Sequence, residues 1–133
     1  MAHIALVVRE YDAALAFYVG SLGFTLVEDS DQPEQHKRWV TIRPPGAQED
    51  ATTILRARAA SPQQVLAIGN QTGGRFFLFL PTDDFARDHA AFTAARVDWV
   101  REPATHDYGT VAVFADLYGN HWDLVPFNRA TQR

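Results

Sequence analysis

The chain opens on a short apolar run, Ile4-Ala5-Leu6-Val7-Val8, whose length and β-branched content predict a strand. From Tyr11 to Leu22 the period changes. Leu15, Tyr18, Val19 and Leu22 recur at i, i+3, i+4 and i+7, one stripe of an amphipathic helix, and Gly23 comes next as a left-handed stop. Three more strands are predicted over residues 24–27, 37–43 and 52–57, the last two separated by Pro44-Pro45-Gly46. Ser61-Pro62-Gln63-Gln64 then carries a helix start: Ser61 as cap, Pro62 at the first helical position, Gln64 completing a capping box. That helix is short, ending near Gly69, and Gly73-Gly74 loosens the chain beyond it.

The same order then recurs. Residues 76–80 predict a strand ended by Pro81, and Phe85, His89 and Phe92 mark one face of a second helix capped by Thr82, Asp83 or Asp84. Strands are predicted again over residues 97–101, 110–115 and 121–125, the last two joined by a turn in which Gly119-Asn120 accepts positive φ. Gly23-Phe24 aligns with Arg96-Val97, Leu26 with Trp99 and His3 with Phe76, each pair 73 positions apart. The chain therefore reads as two strand–helix–strand–strand–strand modules, residues 3–59 and 76–127, with a linker at 61–75. Each half alone is too small to bury both faces of its sheet, so the sheets must close on each other or on a second chain.

Strand alternation sorts the side chains. The helices need an apolar face to cover, and Ile4, Leu6 and Val8, Val40 and Ile42, and Trp122 and Leu124 supply it. His3, Trp39, Thr41, Arg43, His121 and Asp123 then point to the opposite, concave side, with Phe76, Leu78 and Leu80 expected to line it from the fifth strand. A mostly apolar surface carrying a few polar groups is the make-up of a small-molecule site.

Composition narrows the function. A chain of 133 residues with 12 basic and 16 acidic side chains has a net charge of −4, and its basic residues are scattered, which disfavours a nucleic-acid partner. With no cysteine, thiolate metal sites and cysteine nucleophiles are excluded. The longest apolar run, residues 13–19, is far short of the ~20 residues a membrane helix needs. The N-terminus has no signal-like segment, so a cytoplasmic location without membrane contact is expected. No phosphate-binding glycine loop, His-Glu-x-x-His helix or Gly-x-Ser-x-Gly elbow occurs.

The module order, Ala16-Phe17-Tyr18 and Leu22-Gly23-Phe24 after a His-bearing first strand, together with Tyr108-Gly109-Thr110 and the run from Asp116 to Leu124, resemble the vicinal oxygen chelate superfamily. That superfamily includes glyoxalase I, extradiol dioxygenases, and fosfomycin- and bleomycin-resistance proteins. The resemblance implies an α+β fold of two tandem βαβββ modules forming a cup-shaped mixed sheet with helices on its outer face, usually completed in a homodimer. In metal-dependent members a divalent ion is held from the first, fourth, fifth and eighth strands. Those positions fall here on His3, Leu55, Phe76 and Asp123, so only His3 and Asp123 are able to ligate.

Three readings are open for a small-molecule ligand. The first is binding or transformation in the cup with a degenerate metal site, using Trp39, Arg43, Leu55, Phe76, Leu78 and His121 as ligand contacts and Trp99 as further stacking surface. The alternative is a metal-dependent lyase or dioxygenase in which His3, Asp123 and His121 form a two-histidine, one-carboxylate set. The third is metal-free acid–base catalysis, with Asp123 desolvated and His3 as its proton-transfer partner. Orthodox glyoxalase I activity is disfavoured by Leu55 and Phe76.

Overall fold

The computed structural model describes residues 3–32, 37–48, 51, 53–107 and 109–126. They form two compact units that divide between Gln71 and Thr72. Each unit carries one four-stranded mixed sheet and an α-helical segment after its first strand, which is the α+β, βαβββ order expected. Among the described residues no helix is long and apolar enough to cross a membrane.

The first unit consists of β1 (His3–Val8), α1 (Tyr11–Leu15), a π-helical continuation (Ala16–Ser21), β2 (Thr25–Gln32), β3 (Lys37–Arg43), β4 (Thr53–Arg58) and α2 (Pro62–Ala67). Its sheet runs β1-β4-β3-β2, with β1 parallel to β4 and the other pairs antiparallel. Leu6, Val8, Val40 and Ile42 are fully buried, as the alternation requires. Arg38, on the same face as Val40 and Ile42, reaches Asp12 of α1 at 2.9 Å. It also donates Nε and Nη2 to the two carboxylate oxygens of Asp29 at 2.8 and 2.7 Å. That paired hydrogen bond holds the Asp29 carboxyl below its usual range.

The helical stripe differs from expectation. Ala14, Tyr18 and Leu22 are the buried residues, whereas Val19 is exposed. The π-helical segment is the cause, because its wider turns bring residues four apart, not three, onto the sheet. Gly23 ends it at φ +79°, as expected. At α2, Ser61 Oγ accepts from Gln64 N at 3.2 Å, and the Gln64 side chain accepts from Ala60 N at 2.7 Å. Gln71, within the expected linker, pairs its side-chain amide with Ala5 O and Val7 N, covering backbone groups of the edge strand β1.

The second unit consists of β5 (Leu78–Thr82), α3 (Phe85–Ala94), β6 (Asp98–His106), β7 (Gly109–Ala115) and β8 (His121–Pro126), in the sheet order β5-β8-β7-β6. Asp84 caps α3 by accepting from Arg87 N at 3.0 Å. Pro81 lies inside β5 and does not end it, which is tolerated because β5 is an edge strand. The core is aromatic: Phe92 meets Phe114 edge-on at 5.3 Å, and Phe114 stacks on Trp122 at 6.1 Å. Asp116 closes the last hairpin, its Oδ1 accepting from Tyr118 N and Asn120 N and its Oδ2 from Asn120 Nδ2. Gly119 takes the positive φ there, at +103°, and Asn120 does not.

The two units repeat one element order, but the spacing between equivalent residues is not constant. Buried Leu6 and Val8 correspond to buried Leu80 and Thr82, and Tyr18 corresponds to Phe92, all 74 positions apart. Beyond the helices, Gly23 corresponds to Arg96, whose φ of +64° makes it the left-handed counterpart, and that pair is 73 apart. The bond from Phe24 N to Tyr18 O spans one residue more than the bond from Val97 N to Phe92 O. The π-helical segment thus absorbs one extra residue in the first unit, and an alignment by a single offset of 73 misplaces β5 by one.

Gly109 at the start of β7 has φ +131°, and a Cβ there would lie 2.8 Å from Pro126 Cγ. Gly109→Ala is expected to cost roughly 1–3 kcal/mol through backbone strain and overpacking, read as a lower urea midpoint with unchanged slope.

Candidate functional site

Within each unit one sheet face packs on α1 or α3, and the opposite face, called helix-free below, points away from that helix. In the first unit His3, Trp39 and Thr41 fall on the helix-free face. His3 meets the Trp39 ring edge-on at 5.4 Å, and its Nδ1 pairs with Thr53 Oγ1 at 2.5 Å. The register row Ala5–Leu55–Thr41–Glu28 crosses this sheet. The side chain of Leu55 and all of Tyr108 lie outside the described residues. Arg43, half-buried, ends β3.

In the second unit the equivalent row is Phe79–Asp123–Val113–Arg101. Partners in register place their side chains on one face, with neighbouring strands ~4.8 Å apart. Asp123 is buried, and no hydrogen bond to its carboxylate is found among the described residues. Phe79 flanks it, and the ring of Phe76 lies 6.1 Å from that of Phe79, tilted at 56°. Both rings are about half exposed, at 50 and 59 %. Burial pushes the Asp123 carboxyl above its usual range, against the opposing fields of Arg101 and His121. His121, two residues earlier on β8, faces the same way.

Three expected contacts are corrected. Leu78 pairs in register with Trp122 and Leu80 with Leu124, so both belong to the helix-covered core and not to the helix-free face. A shift of one residue reverses every side chain of a strand, which is why the single 73-residue offset exchanged Leu78 for Phe79. Phe76 precedes β5, yet its contact with Phe79 brings it to the expected side. Trp99 also packs beneath α3: it stacks on His89 at 4.5 Å and donates Nε1 to Thr93 Oγ1 at 3.0 Å. The alternation missed Phe79 and Arg101. The Leu-Phe-Leu pattern of residues 78–80 carried a signal for Phe79, but the bulge around Val100 that turns Arg101 toward the Asp123 face left none.

The donor set does not fit a divalent metal centre of the kind held from four strands. The fifth-strand counterpart of His3 in the corrected register is Phe77, no better a ligand than Phe76, and the counterpart of Asp123 on β4 is Leu55. Among the described residues no three His, Cys, Asp or Glu side chains are grouped to hold an ion. Asp123 is a carboxylate set beside aromatic rings.

A family profile described as the Glyoxalase/Bleomycin resistance protein/Dioxygenase superfamily matches residues 1–124, and the chain belongs to that superfamily. An uncharacterized protein of Shewanella frigidimarina (strain NCIMB 400) is 56 % identical over 126 residues, covering 95 % of this chain and 92 % of that protein. Among solved structures, TnmS3, described as an antibiotic binding protein from Streptomyces sp. CB03234, is 27 % identical. It matches with a TM-score of 0.74 over 96 % of this chain and 95 % of that one. UcmS2, 24 % identical with a TM-score of 0.77 over 93 % and 95 % of the two chains, shares the fold.

The raised Asp123 carboxyl fixes the sign of a stability effect. A group whose folded pKa lies above its unfolded value stabilises below the unfolded value, and that contribution is lost as pH rises through the folded one. Asp123→Asn is therefore expected to raise the melting temperature at neutral pH, with the gain shrinking toward about pH 4. Melting curves of both proteins across that range check it.

Proposed function

We propose that this member of the superfamily is a small-molecule binding protein that holds the apolar or aromatic body of an organic ligand against the helix-free face of its second sheet, with protein side chains and not a metal ion as the anchor. One observation carries the reading: Asp123, buried and without a hydrogen-bond partner among the described residues, lies in register beside the exposed ring of Phe79. An unpaired buried carboxylate is costly for folding alone, and a ligand that pairs with it offsets the cost. The likeness to an antibiotic-binding protein supports sequestration as the purpose. The first unit's helix-free face, with His3, Trp39 and Arg43, is a second candidate surface of the same kind. The alternative, a metal-dependent lyase or dioxygenase acting through His3, Asp123 and His121, has Leu55 and Phe76 against it at the positions where further ligands are needed.

Titration calorimetry with a panel of aromatic drug-like compounds, repeated after EDTA treatment, tests the reading. The expected result is binding that survives EDTA and weakens about tenfold or more in Phe79→Ala, the worth of one buried phenyl ring. Binding abolished by EDTA and restored by a divalent metal would overturn it, as would binding indifferent to Phe79→Ala.

A further inference from the structure

The proposed site also specifies the charge of its ligand. Phe76 and Phe79 present two ring faces inclined at 56° with centroids 6.1 Å apart, half exposed on a surface where large apolar groups are usually covered. Phe77, between them in sequence, turns the other way and packs edge-on against Trp122 at 5.7 Å, so the pair stands over a fixed core. At the foot of this corner lies Asp123, more than nine-tenths buried and with no hydrogen-bond donor among the described residues. The Asp123 neighbours within its row and strand are Phe79, Val113, His121 and Val125, and Arg101 lies one strand further on.

Ring faces carry negative potential and attract cations, most strongly where water is excluded. A carboxylate beside them supplies the counter-charge, and its burial strengthens the interaction. Neutral aromatic ligands would gain the stacking but leave the carboxylate unpaired, and anions would be repelled by it. From this geometry we infer that the corner formed by Phe76, Phe79 and Asp123 is a recognition site for an organic ammonium group, with Arg101 selecting against a second positive charge at the far end of the row. This inference rests on the binding function proposed above and adds to it the chemical class of the ligand.

Matched probes separate the two. Benzyltrimethylammonium and its uncharged carbon isostere, neopentylbenzene, share shape and differ in charge, and their affinities can be compared by competition or chemical-shift titration. The ammonium is expected to bind at least about tenfold more tightly, the scale of a partly desolvated cation on aromatic faces. Asp123→Asn keeps the side-chain shape and is expected to reduce that preference by removing the counter-charge. Phe79→Leu, a change at an exposed position that spares folding, is expected to reduce the preference by removing a ring face while retaining apolar contact. Equal affinity for both probes, with both weakened by Phe79→Ala, would overturn the ammonium assignment and leave the binding reading standing. Failure of benzyltrimethylammonium to bind at millimolar concentration would overturn it as well.

Discussion

Side chains of a strand alternate between its two faces, so the register of β5 against β8 decides what the second sheet offers on each side. Leu78 opposite Trp122 and Leu80 opposite Leu124 send the aliphatic side chains into the core, which leaves Phe79 opposite Asp123 on the helix-free face. Two contacts guard that register where the parallel strands begin. Phe77 N donates to His121 O at 2.9 Å just before β5 begins, and Asp116 ties up the turn that delivers the chain into β8. A slip of one residue would bury Phe79 beneath α3 and turn Leu78 and Leu80 toward Asp123.

The duplication is legible in the sequence as order, less so as alignment. The pairing of Gly23 with Arg96 was readable from the common 73-residue offset alone, because Arg96 adopts the left-handed conformation of a helix exit without being glycine. Buried Val40, Ile42, Trp122 and Leu124 came from period-two alternation alone. The misplacement of β5 had a local cause in the other module. The π-helical residues Ala16–Ser21 hold one residue more than the matching part of α3, and apolar content is too even along Ala13 to Val19 to reveal where it sits. Bulges at Val27 and Val100 recur at matching places in the two units, and each changes the face of the residues after it without any proline or glycine to announce it.

Asp123 shows why part of a site can be read from composition and part cannot. A carboxylate within an apolar strand is visible in the sequence, and its neutral counterpart in the first unit, Leu55, implies that the charge is not needed for the fold. What the sequence withholds is the company it keeps. The aromatic stack of Phe92, Phe114 and Trp122 on the covered face secures the sheet, which allows the opposite face to carry an unfavourable charge. With stability drawn from one face, the opposite side is left free to differ between relatives of one fold.

Carbon-13 NMR of the Asp123 carboxyl through an acid titration tests this arrangement most directly. A midpoint above the ordinary aspartate range, falling back when an organic ammonium compound is added, is the predicted result, because burial raises it and a paired cation lowers it. An ordinary or depressed midpoint in the free protein would contradict it, since the carboxylate would then already be solvated or paired.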